Sequence, residues 1–299
     1  MDDYQVRTLF RRHKLEFGTI EPAGAGFRNE VYLSDDYVLK VYPEHNRTGF
    51  MKEHWFYSAV KPAFAPELIA AGEDYLIFER IRGKSLFTLW RDMAGAKRLS
   101  TVSVIAKIMR TLSTVDYAAI AGLFPVSDDY GAKIFPEIAA LLMELLERES
   151  IPEALAHRVK EYCAANLSVF RGEPLCLVHG DMHFDNFMLA DNGKLYLIDY
   201  EMLEIAPKDY DLDVWQRMML HPFIYAGEAD HALTVPADYR ELMKLLKMSS
   251  SDLFLSPTVK DRVTLYGIRY ELAILKDYPM DALVLERLTA YLDGMDWNC

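Results

Sequence analysis

The sequence predicts an α+β fold, with strands gathered in the N-terminal part and helices filling the C-terminal part. Three observations carry this. Short runs that alternate apolar and polar residues occupy 16–42, and the apolar run Tyr75–Glu79 reads as another strand. Amphipathic stretches of helical period fill most of the chain beyond residue 84. Between them lie a short apolar run, a polar loop and a hairpin pattern, ending at Asp199. At 299 residues, 51% hydrophobic and 26% charged, the chain has ample length for a core and an ordinary globular composition.

Taken in order, Glu16–Ala23, Glu30–Leu33 and Tyr37–Tyr42 read as strands. The turn Ala23–Asn29 carries Gly24 and Gly26. Lys40 lies inside the apolar run Tyr37-Val38-Leu39-Lys40-Val41-Tyr42, where a charge is costly unless paired. Arg47–Val60 reads as a helix, and Glu53 falls on the stripe of Phe50, Tyr57 and Val60, so it has the same problem. The two solve each other if they meet. Lys52 points about 100° away from Glu53 on such a helix. Tyr75–Glu79 is a further strand, and Ser85 has the side chain of a helix N-cap. Helices are expected over about 99–117, 133–148 and 151–171, then about 209–220, 237–248, 258–276 and 281–293. Asp191-Asn192-Gly193-Lys194 is a hairpin turn between strands Phe187–Ala190 and Leu195–Ile198. That hairpin places Asn186 and Asp199 side by side at its open end.

The chemistry concentrates in Leu177-Val178-His179-Gly180-Asp181-Met182-His183-Phe184-Asp185-Asn186 and in Tyr196-Leu197-Ile198-Asp199. Phosphoryl transfer needs one carboxylate to orient and deprotonate an alcohol, and an amide and a carboxylate to hold Mg²⁺ on nucleotide phosphates. Asp181, Asn186 and Asp199 supply these in that order. Two other readings of the loop exist. His179, Asp181 and His183 alternate as metallo-hydrolase ligands do, but the remaining histidines show no companion motif. Alternatively, both histidines are structural and fix the loop.

The stretch His179-Gly180-Asp181-Met182-His183-Phe184-Asp185-Asn186, with Ile198-Asp199-Tyr200-Glu201, resembles the signature of the aminoglycoside phosphotransferase and choline kinase superfamily. Protein kinases carry Arg in place of Gly180 and Phe-Gly in place of Tyr200-Glu201, and a long activation segment ending in Ala-Pro-Glu, which is missing after Asp199. The resemblance covers about 16–220 by motif and the helical tail by pattern. It implies a bilobal protein-kinase-like fold: residues 1–82 as a small, mainly antiparallel nucleotide-binding lobe with one helix, and 83–299 as a larger, mostly helical catalytic and substrate-binding lobe. It further implies ATP or GTP as co-substrate, with Mg²⁺ on Asn186 and Asp199 and Asp181 as base. Lys40, paired with Glu53, would hold the nucleotide phosphates, the loop with Gly24 and Gly26 would cover them, and backbone near Glu79 to Ile81 would meet the nucleobase. The family's Tyr-Asp-Leu, here Tyr210-Asp211-Leu212, implies that Asp211 braces the catalytic loop; simple helix capping is the plainer reading. Glu201 is left open between the metal shell and nearby backbone.

The acceptor is expected to be a small cationic molecule, an amino-alcohol or aminoglycoside-like compound. A choline- or ethanolamine-type metabolite kinase is the alternative, and a catalytically silent nucleotide-binding or coat protein on the same scaffold is a reading of another class. The net charge of −12 argues against nucleic acid. Residues 1–83 carry 11 Lys and Arg against 13 Asp and Glu, so residues 84–299 hold −10, which attracts cations and also suits plain solubility. In that segment Asp230, Glu241, Asp252, Glu271, Asp277 and Asp281 are candidates to meet an amine. Trp215, Tyr225, Tyr266, Tyr270 and Trp297 are candidates for cation–π contacts. No apolar run reaches membrane-span length, the acidic Met1-Asp2-Asp3-Tyr4 is unlike a secretory signal, and three cysteines (Cys163, Cys176, Cys299) lack metal-site spacing. A cytoplasmic location is expected.

Overall fold

A computed structural model of the chain describes residues 1–23, 29–124, 129–226 and 234–294. By packing, the chain divides into two compact units: Met1–Asp92 with Asp181–Leu203, and Met93–Gly180 with Glu204–Cys299. The hairpin after the catalytic loop therefore packs with the N-terminal residues, together with the segment from 83 to 92.

The first unit opens with helix α1 (Asp3–Arg12), which the strand-dominated expectation omitted. Its signal is local. Asp2 and Gln5 form a capping box, and Val6, Leu9 and Phe10 recur at helical spacing on the buried face. These pack on Leu39, Tyr75 and Ile77, with Leu15, Phe17 and Ile20 against the same cluster. The expected strand Glu16–Ala23 is accordingly reduced to β1 (Glu21–Pro22), because its apolar residues pack on α1 instead of pairing as a strand. β2 (Glu30–Leu33), β3 (Tyr37–Val41), β4 (Leu68–Ala71) and β5 (Tyr75–Glu79) complete an antiparallel sheet of order β1-β2-β3-β5-β4. β4 was not expected; it is four half-buried residues and too short to show a period.

Helix α2 (Arg47–Trp55) continues into one π-helical turn, Phe56–Val60, and stops at Lys61, which is left-handed before Pro62. The π turn buries both Phe56 and Tyr57. Phe56 stacks on Tyr200 at 3.9 Å between ring centroids, and Tyr57 meets the Tyr200 edge at 5.3 Å. β6 (Gly83–Ser85) leads into α3 (Leu86–Trp90), whose first turn is capped by the Ser85 hydroxyl accepting from Thr88 N–H. β6 joins β8 (Phe187–Ala190) and β9 (Leu195–Leu197) in a three-stranded antiparallel sheet. A Cβ on Gly83 would run into the Leu189 carbonyl and the Ala190 Cα, so only glycine allows this approach.

The second unit is helical: α4 (Gly95–Leu112), α5 (Gly131–Glu147), α6 (Glu153–Ala165), α7 (Leu212–Leu220), α8 (Leu242–Ser249), α9 (Val259–Asp277) and α10 (Ala282–Asp293). Among the described residues its one strand pair is β7 (Leu175–Val178) with β10 (Glu204–Pro207), antiparallel, with Val178 opposite Glu204. None of the helices among the described residues is long and apolar enough to cross a membrane.

Candidate active site

Lys40 sits on β3 opposite Val31 of β2 and Leu76 of β5, in the centre of the five-stranded sheet. Its side chain is 10% exposed, and its Nζ lies 2.8 Å from Glu53 Oε2, 2.6 Å from Asp199 Oδ1 and 3.4 Å from Glu201 Oε2. Burial works against the charged ammonium, but the three carboxylates outweigh it and hold Lys40 charged, with a pKa well above its ordinary value. Glu53 is fully buried on α2. Its Oε2 also accepts from the Tyr42 hydroxyl, and its Oε1 accepts from Tyr200 N–H at 3.3 Å. Burial pushes the Glu53 carboxyl up to about 6, with Lys40 pulling the other way and Asp199 adding to the rise. Tyr42 and Asp199 were not foreseen as partners of this pair. Lys52, on another side of α2, donates instead to the Leu203 carbonyl at 2.7 Å.

The hairpin behaves as its pattern implied. Phe187 stands opposite Leu197, and Asn186 accepts from Ile198 N–H through its backbone carbonyl at 2.9 Å. Asn186 and Asp199 therefore emerge together at the open end. Asn186 is 7% exposed, and its Nδ2 donates to the Asp181 carbonyl at 2.8 Å, which leaves its Oδ1 available as a hard ligand. Asp199 has a left-handed backbone (φ 65°), a strained conformation for a residue with a side chain. The buried Tyr200 ring, clamped by Phe56 and Tyr57, holds the next residue in place.

Asp181 is partly exposed, with His183 Nε2 at 3.5 Å from its Oδ2. Burial disfavours a charged His183 ring, but the Asp181 carboxylate overcomes this and raises its pKa. In the second unit, Asp211 Oδ2 accepts from His179 N–H at 3.1 Å and its Oδ1 from Gly180 N–H at 2.8 Å. The Asp211 side chain makes no cap bond to its own helix. Both oxygens brace the two residues that precede Asp181 in the chain. Gly180 takes φ 84°, a left-handed backbone that favours glycine at that position.

Among the described residues, the group of His, Cys, Asp and Glu whose ligand atoms converge is Glu53, Asp199 and Glu201, within 4.8 Å of one another. His179, Asp181 and His183 do not form such a group. The carboxylate of Asp199 and the amide oxygen of Asn186 are hard oxygen donors of the kind Mg²⁺ takes. With Lys40 counted, the cluster of Lys40, Glu53, Asp199 and Glu201 carries a formal −2, which a divalent cation balances. These residues fit the ion.

Glu79 closes β5; its carboxylate accepts from Glu67 N–H at 3.0 Å and its own N–H donates to the Glu67 carbonyl at 3.0 Å, and Ile81 follows in a partly buried segment. Gly24 and Gly26 lie outside the described residues, as do Asp230 and Trp297. Several residues expected to meet a cationic acceptor are committed internally. Glu271 is fully buried and receives two bonds from Arg287, both 2.9 Å. Asp281 caps α10, and Tyr266 donates to Asp209 at 3.1 Å. The Arg217 guanidinium lies 3.5 Å from the Tyr270 ring centroid and donates to the Tyr225 hydroxyl at 3.0 Å. The cation–π partner of that face is the protein's own arginine.

The family model described as "Phosphotransferase enzyme family" matches residues 19–242. No curated protein matches the sequence. Solved structures of similar fold include the ADP-bound aminoglycoside phosphotransferase APH(2'')-Ib, at 14% identity, covering 98% of both chains with a TM-score of 0.68. A thermostable mutant of APH(4)-Ia, in a ternary complex with ADP and hygromycin B, matches at 16% identity over 97% of this chain and 98% of that one, TM-score 0.69. The GDP and kanamycin complex of APH(2'')-IIIa matches at 18% identity, over 97% and 98%, TM-score 0.66. The fold is thus protein-kinase-like and α+β.

Proposed function

The chain belongs to the phosphotransferase enzyme family, and on that premise we propose that it moves the γ-phosphoryl group of ATP or GTP to a hydroxyl of a small cationic acceptor of the amino-alcohol or aminoglycoside class. It is a nucleotide-dependent phosphotransferase with a small-molecule acceptor. The observation that carries the reading is the contact of Lys40 with both Glu53 and Asp199, at 2.8 and 2.6 Å, in the unit that also holds Asp181 and Asn186.

In this reading Asp181 accepts a hydrogen bond from the acceptor hydroxyl and takes its proton as the new O–P bond forms. His183 beside it, its pKa raised by the Asp181 carboxylate against the cost of burial, and the bond from Asn186 to the Asp181 carbonyl keep that carboxylate in place. Lys40, charged and aligned by Glu53, neutralises phosphate oxygens. Asn186 and Asp199 would hold Mg²⁺, which when bound offsets the charge of the nucleotide phosphates. Backbone near Glu79 and Ile81 serves the base. Residues 1–82 then form the nucleotide-binding lobe, and residues 83–299 the catalytic and acceptor lobe. The acidic excess of residues 84–299 supports a cationic acceptor, and the ADP, GDP, kanamycin and hygromycin B complexes of the similar folds support these ligand classes.

The test is a screen of amino-alcohols and aminoglycosides, choline and ethanolamine included, for consumption of ATP and of GTP, with Asp181→Asn as control. A positioned base is worth roughly 10²–10⁴ in rate, so Asp181→Asn should lose transfer by that factor while still binding nucleotide. An Asp181→Asn enzyme with near wild-type kcat sinks the base. Nucleotide binding with no acceptor consumed across the screen favours the silent scaffold.

A further inference from the structure

Glu201 is 7% exposed, and a buried carboxylate is costly unless donors or a cation meet it. Its Oε2 accepts from Asn29 Nδ2 and from Asn46 Nδ2, the latter at 3.1 Å, and faces Lys40 Nζ at 3.4 Å. Asn46 Nδ2 also donates to Asn29 Oδ1 at 2.9 Å, closing a triangle of side chains. An ionised carboxylate only accepts, so both amides must turn their nitrogens toward it. The charge of Glu201 therefore dictates the orientation of both.

The three residues come from distant parts of the chain but one packing unit. Asn29 precedes β2, the neighbour of the strand that carries Lys40. Asn46 precedes α2, the helix that carries Glu53. Glu201 follows Asp199 by two residues. Asn is among the best N-cap residues, yet Asn46, at the N-cap of α2, makes no side-chain cap bond. Its amide is spent on Glu201 instead. The triangle thus joins the carriers of Lys40, Glu53 and Asp199 at a single carboxylate.

Resting on the nucleotide reading above, we infer that Asn29, Asn46 and Glu201 form a clasp that keeps Lys40 aligned for nucleotide phosphates when the Asp199 carboxylate turns from the ammonium to a metal ion. Lys40 now shares its charge mainly between Glu53 and Asp199. Once Asp199 is engaged elsewhere, Glu201 is the remaining carboxylate beside Glu53 that faces the ammonium, and the two asparagines hold it there. Glu201 is a positioning residue in this scheme, acting through Lys40.

The experiment is calorimetric titration of the full chain with ADP, once in EDTA and once with Mg²⁺, for wild type, Asn29→Ala, Asn46→Ala, Glu201→Gln and Asp199→Ala. Losing a charge-assisted hydrogen bond corresponds to about 10-fold in affinity. Each clasp variant should weaken ADP by about that factor with Mg²⁺ and by clearly less in EDTA, where Asp199 stays on the Lys40 ammonium. Asp199→Ala should lose only the Mg²⁺-dependent increment. The swap Asn46→Asp with Glu201→Gln restores a donor–acceptor pair, so it should bind ADP better than Asn46→Asp alone, which sets two carboxylates against each other. Thermal midpoints separate alignment from folding. Clasp variants that bind ADP as wild type does, or that lose only thermal stability, overturn the inference, as does a swap no better than Asn46→Asp alone. A wild type that binds no ADP or GDP in either medium overturns the nucleotide reading itself.

Discussion

At the residue scale the decisive feature is one buried ammonium shared among three carboxylates. Replacing Lys40 or Glu53 by Ala should each raise the nucleotide KM or lower kcat, and the double variant should lose less than the sum, because the two act as one unit. A double-mutant cycle with zero coupling would break the pairing role. The charge of Glu53 also sets a pH dependence. Its carboxyl titrates near 6 in the folded chain, surrounded by Lys40, Tyr42, Asp199 and Glu201. As pH falls through about 6, Glu53 takes a proton and Lys40 loses a counter-charge, so kcat/KM for nucleotide should decline. The raised value means the folded chain binds that proton more readily than the unfolded chain. From this group, stability is therefore gained as pH falls between 6 and the ordinary carboxylate range, and is lost as pH rises through 6. Activity should drop without a matching fall in thermal midpoint, and Glu53→Gln should flatten that limb of the profile. The same limb surviving in Glu53→Gln would assign it to another group.

Among elements, the catalytic loop depends on a residue outside it. Asp211, at the start of α7, spends both carboxylate oxygens on His179 and Gly180 N–H groups, two charge-assisted bonds. Hydrogen bonds to charged groups are worth about 1.5–3 kcal/mol each, and the buried amides would be left unmet. Asp211→Ala should therefore destabilise the fold by about 2–4 kcal/mol in urea unfolding and lower kcat through a loosened loop. Asp211→Asn, which offers one acceptor instead of two, should fall between. An Asp211→Ala chain of unchanged stability would return this residue to plain capping. The motif Tyr210-Asp211-Leu212 flagged the residue, but the choice between bracing and capping depended on where β7 and β10 bring His179 and Gly180.

For the molecule as a whole, charge is the broad signal. With −12 overall and most of it beyond residue 83, a cationic acceptor should be drawn in by the long-range field. Screening at a Debye length of about 10 Å in 0.1 M salt shrinks that field. The acceptor's kcat/KM should fall several-fold as salt rises from about 0.05 to 0.5 M, mainly through KM. A kcat/KM indifferent to salt would remove steering as a basis for acceptor choice. Several acidic and aromatic residues of the tail already have an internal partner, in Arg287, in Arg217 or in the α10 cap.

What the sequence determined alone was whatever is written in local spacing. The Asp181–Asn186–Asp199 order, the hairpin between β8 and β9, the isolated Lys40 in an apolar strand and the charge balance all lie within short windows, where turn chemistry and periodicity act directly. The α1 capping box of Asp2 and Gln5 is equally local. Only the tertiary structure decided the rest. The Asn29–Asn46–Glu201 triangle joins residues up to 172 positions apart, and no spacing rule spans that distance. Tyr42 meets Glu53, and Glu271 meets Arg287, because packing aligned faces that periodicity merely marks as buried. The physical reason is the same throughout. A short-range pattern fixes which side chains share a face, whereas a buried charge takes its partner from whichever element the core brings against it.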